Sequence, residues 1–437
     1  MSNKPVNGEY FSPFYTINID TKTSVTQFTK DPEIMKSLSH EYLHFIQDLS
    51  LTYNFAYASH VYSKIAHFYN EKKKKISLPY TIPIKYFNCY RNEKLFTTYS
   101  QGYSKNERKT IPNWTSNFHI SISSHIACQK GLFLFFPGLK EYRVEIIVDK
   151  NYSLTVKFGA LAIMEGMCRL FEDHLYPVTN SSINTYQIPY DLPLMVVKHF
   201  YPQVLIHKSI LFALCEASLM YYNPAQVFIL ALKKMKEEKF IPKKLIDVYK
   251  FVYSRIVFKK QSIRDIWKHT FKELDKNTKN VCNLKEVQFS LRRAKYSYVH
   301  FFRMRIRSPD FLAKLLLLPY KQAQSQFYLI MQSIPSPLIS NNAEPIEYGF
   351  IGNIPNDPIK RFALFHWNNM RLMYDFIFKS EGDICTFGEN CPFFESCDYS
   401  FTPSLKPETP PYCNFTQYSR SFGLYLHQIK LKTEKSF

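Results

Sequence analysis

Ile34, Leu38, Tyr42, Phe45, Ile46, Leu49 and Tyr53 recur at helical spacing, and at 100° per residue they form one apolar stripe. Ser37, His40, Glu41, His44 and Asp48 fall together on the neighbouring face. The stripe must enter a core, so the polar face beside it must meet a cleft. Asp31-Pro32 marks the start, with a side-chain acceptor at the N-cap and proline at the first helical position. A helix is therefore predicted over 32–50. His40 and His44 are four residues apart, so both imidazoles leave one face about one turn apart and can reach one metal ion.

The stretch His40-Glu41-Tyr42-Leu43-His44 resembles the His-Glu-x-x-His pattern of the zincin metallopeptidases. The resemblance implies that His40 and His44 hold Zn²⁺ and that Glu41, on the flank, takes a proton from the attacking water. Asp48, one turn beyond His44, is predicted to orient that ring as an outer acceptor. The plain alternative is two polar helix residues beside a core stripe, and a third ligand decides between the two.

The chain has 437 residues, enough for two or three domains with a substantial core. Aromatic residues make up 17% and there are only 11 glycines, which excludes a disordered or fibrous chain. The net charge of +20 points to nucleic acid, a membrane surface or an acidic partner. It is also what an AT-rich coding bias toward Lys, Asn, Ile, Phe and Tyr would produce. No apolar signal region follows Met1-Ser2-Asn3-Lys4-Pro5, and no apolar run approaches the ~20 residues of a membrane span. The nine cysteines then read as reduced thiols or metal ligands, and the expected location is cytoplasmic.

Along the chain, a short strand at 15–19 leads into the first helix. Residues 51–70 read as helical, followed by the basic run 72–75, a solvated loop. Residues 84–158 read mainly as β, with strands at 118–123, 132–136, 142–148 and 153–158 and a turn at Asp149-Lys150-Asn151. Any of these strands is a candidate to edge the cleft and pair with an extended peptide. Residues 159–174 read as a helix with Glu165 and Glu172 on one face. An acidic residue in so apolar a segment costs free energy unless paired, either by a zinc ion or by Arg169 four residues on.

Glu165-Gly166-Met167-Cys168-Arg169-Leu170-Phe171-Glu172 resembles the Glu-Gly-x-Ala-x-x-x-Glu element of the gluzincin peptidases, the aminopeptidase type among them. The resemblance implies that Glu165 is the third zinc ligand, on a second helix facing the first, and that Glu172 is a supporting carboxylate. It also implies a Tyr or His that stabilises the oxyanion, for which Tyr190, with Tyr186 as the other choice, is the candidate. The chain departs from the family at Cys168, in the long stretch between His44 and Glu165, and in lacking a Gly-x-Met-Glu-Asn exopeptidase element. The metzincin pattern fails, because Gln47 and Ser50 stand where it needs Gly and His. His174 is a weaker candidate for the third ligand.

From 191 to 340 the pattern is helical, at 205–221, 224–238 with Asn223 as N-cap, 243–257, 261–275, 285–306 and 320–333. Residues 231–310 hold 22 Lys and Arg against 8 Asp and Glu. The cluster Arg292, Arg293, Lys295, Arg303, Arg305 and Arg307, interleaved with Tyr296, Tyr298, Phe301 and Phe302, is the best surface for nucleic acid or an acidic partner. Its plain alternative is a scaffold whose cationic side chains cover its exterior. Residues 334–358, rich in Pro and Asn, read as a linker or long loop, and a helix is expected at about 359–379. Cys385, Cys391, Cys397 and Cys413 suit a structural Zn²⁺ site or an Fe–S cluster, with ordinary cysteines as the alternative.

These readings combine into an α+β chain. A zincin-like catalytic domain over 1–190 has a β insertion between its ligand helices, a basic helical domain spans 191–340, and a region over 341–437 holds the four cysteines. The expected function is that of a selective intracellular zinc endopeptidase acting on a protein or peptide substrate, with room for a regulatory protein partner. The alternatives are an inactive zincin-like module that binds nucleic acid or an acidic protein, and a structural subunit whose metals only hold the fold.

Overall fold

The computed structural model describes residues 7–73, 80–82, 96, 100–102, 109–111, 119–128, 139–149, 152–177, 186–257, 261–279, 281, 285–342, 348–351, 367–368, 370–372, 374–375, 378 and 429–431. In chain order the first elements are β1 (Gly8–Phe11), β2 (Thr16–Ile19), α1 (Pro32–Ser50), α2 (Thr52–Lys73), β3 (Tyr80–Ile82) and β4 (Lys109–Ile111). Then come β5 (His119–Cys128), β6 (Leu139–Asp149), β7 (Tyr152–Phe158), α3 (Ala160–Leu175), β8 (Tyr186–Ile188) and α4 (Leu192–Phe200). The rest are α5 (Lys208–Ser218), α6 (Pro224–Glu237), α7 (Leu245–Arg255), α8 (Ile263–Thr278), α9 (Lys285–Arg307), α10 (Tyr320–Ser333), β9 (Leu338–Asn341), β10 (Tyr348–Gly349) and β11 (Ile429–Leu431). The fold is α+β.

Helix α1 starts where its signals place it. The Asp31 carboxylate accepts from the backbone N–H groups of Glu33 and Ile34 at 2.9 and 3.3 Å. Its apolar stripe is buried throughout, and so are His40, Glu41, Gln47, Asp48 and Ser50. Each of those polar groups therefore needs a partner. The Tyr42 hydroxyl reaches the carbonyls of Met331 and Ile351 at 3.0 and 3.1 Å, tying α1 to the end of α10 and the chain beyond β10.

Four strands pack beside α1 in the order β1-β2-β9-β10. β1 pairs antiparallel with β2, Gly8 opposite Ile19; β9 pairs parallel with β2, Thr16 opposite Leu338. The described part of the 334–358 stretch, expected as a linker or long loop, thus carries two strands, β9 and β10. Ile339 is fully buried between sheet neighbours, and β9 is a central strand. A separate antiparallel meander, β5-β6-β7, precedes α3. Among the described residues, buried apolar side chains from Tyr10 to Phe378 belong to one hydrophobic cluster.

Several expectations lie outside the described residues: the strand at 132–136, the turn at 150–151, and Cys385, Cys391, Cys397 and Cys413. Of the helix expected at 359–379, the described positions are helical, with Trp367, Met370, Tyr374 and Phe378 buried. No helix among the described residues is long and apolar enough to cross a membrane.

The cationic cluster on α9 divides. Tyr298, Phe301, Phe302 and Arg305 face inward and are buried, because α9 packs against α1. Arg305 Nη1 lies 2.7 Å from Glu216 Oε1 on α5, and Nη2 donates to Ser50 Oγ at 2.8 Å. Tyr249 of α7 donates to the other Glu216 oxygen. This pair is inside the protein, so each charge depends on the other. Arg305→Met is expected to lower the unfolding free energy by about 3–5 kcal/mol, and Arg305→Met/Glu216→Leu to recover much of that loss. Denaturant titration of both variants checks this; an equal loss in the double variant would show that the stranded Glu216 charge is not the cause.

Candidate metal centre

Helices α1 and α3 pack face to face. Gly166 allows the next turn of chain to press on α3, since a Cβ there would lie 2.7 Å from Pro193 Cγ and 2.9 Å from the Tyr190 carbonyl oxygen. That contact sets Tyr190 beside the histidines, its ring 6.1 Å from the His40 ring. Glu165, next to Gly166, points between the two imidazoles.

Glu165 Oε2 is 3.2 Å from His40 Nε2 and 3.6 Å from His44 Nε2. The opposite side of each ring is held. His40 Nδ1–H donates to Glu172 Oε2 at 2.9 Å, and His44 Nδ1–H donates to Gln47 Oε1 at 2.8 Å. Gln47 in turn donates to Cys168 Sγ at 3.5 Å. Glu172 is supported by Lys36 at 3.4 Å and Arg169 at 3.7 Å. With both Nδ1 atoms engaged as donors, both Nε2 atoms face one carboxylate oxygen.

Burial works against a charged His40, but the hydrogen bonds it donates to Glu165 and Glu172 and the charge of Glu41 outweigh it and raise its pKa from 6.5 to about 10. Glu165 is also penalised by burial, yet the charge of His44 and the hydrogen bonds of both rings hold it well below the usual carboxylate range. Metal-free, the centre is a charge-alternating chain of hydrogen bonds.

Two imidazoles and a carboxylate are donor types that zinc takes, and two of their three donor–donor separations are set by Glu165 Oε2. Ligand bonds of 2.0–2.2 Å in a tetrahedral His₂Glu site put neighbouring donor atoms about 3.4 Å apart. The separations of 3.2 and 3.6 Å bracket that edge. Among the described residues, however, the group whose donor atoms are all mutually close includes Cys168 and not Glu165. Donor atoms of His40, His44 and Cys168 all lie within 4.8 Å of one another, with Cys168 Sγ 3.6 Å from His44 Nδ1. His44 Nδ1, the nitrogen at 3.6 Å from Cys168, is also the one bonded to Gln47. Burial, then the charges of Glu165, Glu41 and Glu172, push the Cys168 thiol well up, away from the thiolate that a metal binds.

The other expected residues are placed as follows. Glu41 is buried and makes no hydrogen bond or ion pair among the described residues. Asp48 does not hold a nitrogen of His44. Its oxygens accept from the Tyr10 hydroxyl at 2.8 Å and from Asn54 at 2.6 Å, and the Tyr10 ring stacks on His44 at 6.5 Å. Burial raises Asp48 to about 6. Arg169 pairs with Asp173 and Glu172, leaving Glu165 to the histidines. His174 Nε2 donates to the Leu318 carbonyl, and the Tyr186 hydroxyl accepts from Lys198, so both engage elsewhere. Among the described residues, β1 is a strand that lies against the centre. A Cβ on Gly8 would lie 2.6 Å from Glu41 Cγ. Among the described residues the outer edge of β1 pairs with no strand. Three residues here went unread in the sequence: Gly8 and Tyr10 have no spacing relation to the histidines, whereas Gln47, three residues after His44, had one.

A folded-state pKa raised to about 10 means that metal-free His40 is protonated at neutral pH. Its stabilising effect is full below about pH 6.5 and is lost as pH rises through about 10. A metal binds only the deprotonated ring, so uptake at pH 7 is expected to release about one proton from His40. Calorimetry in buffers of different ionisation enthalpy checks this, and a buffer-independent enthalpy would remove His40 from the ligand set. Comparison with protein-family models, with curated proteins and with solved structures finds no match to this chain.

Proposed function

We propose that the chain is a zincin-like endopeptidase of gluzincin type, in which His40, His44 and Glu165 hold a zinc ion and Glu41 is the general base. The observation that carries this reading is the Glu165 oxygen set at ligand-edge distance from both Nε2 atoms while Gln47 and Glu172 fix both Nδ1 atoms. When bound, zinc supplies a Lewis acid that lowers the pKa of water toward 7 and polarises a carbonyl.

The chain's own residues do the rest. Glu41 follows His40, so its carboxylate is beside the ligand face yet unclaimed by any partner among the described residues. It takes the proton of the attacking water and later delivers it to the leaving amine. Tyr190, packed on His40, is the candidate donor to the oxyanion. The open edge of β1 offers backbone hydrogen bonds to an extended substrate, with Gly8 leaving room beside Glu41. Cys168 and Cys215 are buried free thiols, which suits a reducing, intracellular setting and a selective substrate rather than a digestive role.

Elemental analysis and cleavage of a peptide library test this together. Glu165→Ala and His44→Ala are each expected to lose about one zinc equivalent, and Cys168→Ala to keep it. The reverse pattern would move the third ligand to Cys168. Glu41→Gln is expected to keep zinc and lose about 10²–10⁴-fold in rate; a variant that retains its rate sinks the mechanism. Gly8→Ala displaces the Glu41 side chain and is expected to cost up to about 10²-fold with zinc retained.

A further inference from the structure

The outward half of α9 has no place in the metal centre. Arg292, Tyr296, His300, Arg303 and Arg307 are all exposed. At 100° per residue they fall within about 80° of arc, opposite the buried face. From Arg292 to Arg307 the stripe runs about 22 Å along the helix. Among the described residues no carboxylate pairs with Arg292, Arg303 or Arg307. Lys295 lies off the stripe and is paired with Asp275.

Tyr296 stands in the middle of this stripe and is 78% exposed, the most among the large hydrophobic side chains of the described residues. Beside it a cleft of about 380 Å³ opens between α9 and residues 333–335, lined by Phe289, Arg293, Tyr296 and His300. Its wall combines aromatic faces with cations. An acidic peptide would use the charge and leave the aromatic faces idle. A paired base has its face covered by its neighbours. An unpaired base on a phosphate backbone uses both features at once, since every base has a π-face to stack and every phosphate a charge to meet.

We infer that this face of α9 binds single-stranded nucleic acid, with Tyr296 and the adjoining cleft stacking bases while Arg292, Arg303 and Arg307 track the phosphates. The inference is independent of the proposed peptidase chemistry, because none of these side chains touches the metal centre.

The test must separate this face from the general attraction of a +20 chain for polyanions. The probe is a fluorescent oligothymidylate, titrated with the full chain over a range of salt and followed by anisotropy. Arg292→Ala/Arg303→Ala/Arg307→Ala is expected to flatten the slope of log K against log salt by about 2, at about 0.7 per phosphate contact. Tyr296→Ala is expected to weaken binding about ten-fold with the slope unchanged. A control triple, Lys236→Ala/Lys243→Ala/Lys250→Ala, removes exposed charge elsewhere and should change affinity less than about two-fold if α9 is the site. All three variants are exposed and should keep the native circular dichroism. Equal losses in the control and α9 triples overturn the inference, as would absence of binding at low salt. Preference for duplex over single strands overturns it too. So would polyglutamate competing as well as oligothymidylate while Tyr296→Ala has no effect.

Discussion

A carboxylate wedged against two imidazoles in a nearly dry interior is what α1 and α3 are arranged around. Burying Glu165 uncompensated would cost several kcal/mol, and the same holds for a charged His40. The solution is alternation. Lys36 and Arg169 face Glu172, Glu172 faces His40, and His40 and His44 face Glu165. Each group is acceptable inside only because its neighbours are present. That demands a close, fixed approach of the two helices, and α3 is pressed as well by the Tyr190–Pro193 segment, for which Gly166 leaves space.

The same helix is braced from both sides of this centre. Asp48 collects Tyr10 and Asn54, and the Tyr10 ring leans on His44. Ser50, at the end of α1, receives Arg305, which is paired with Glu216. Tyr42 reaches the backbone after α10 and after β10. The helices beyond residue 190 therefore form the socket in which α1 is clamped.

Local signals made much of this readable. The Asp31-Pro32 cap and the apolar period locate α1 at Pro32–Ser50, and Tyr320–Ser333 matches its expected span. Glu165 and Glu172 stood out as carboxylates in an apolar run, and the structure brings both to His40. What stayed hidden depends on distance along the chain. Leu338–Asn341 is four buried residues without alternation, because a central strand buries both faces, and nothing local says that its partner is Thr16–Ile19. Arg305 looked like surface charge because the sequence does not show which face of α9 meets α1. Asp48 looked like a partner for His44, but one turn of separation also let Tyr10 arrive from β1 and claim it.

The parallel pairing of β2 with β9 also has a temporal side. Residues 16–19 emerge from a ribosome some 320 residues before residues 338–341. At about 5–20 residues per second, β2 waits roughly 15–60 s for its neighbour. Before that interval ends α1 and α3 are both synthesised, and β1 has its partner in β2, but the sheet is still two strands short. Until the late strand arrives, β2 has only β1 beside it, and the edge that β9 will cover stays open.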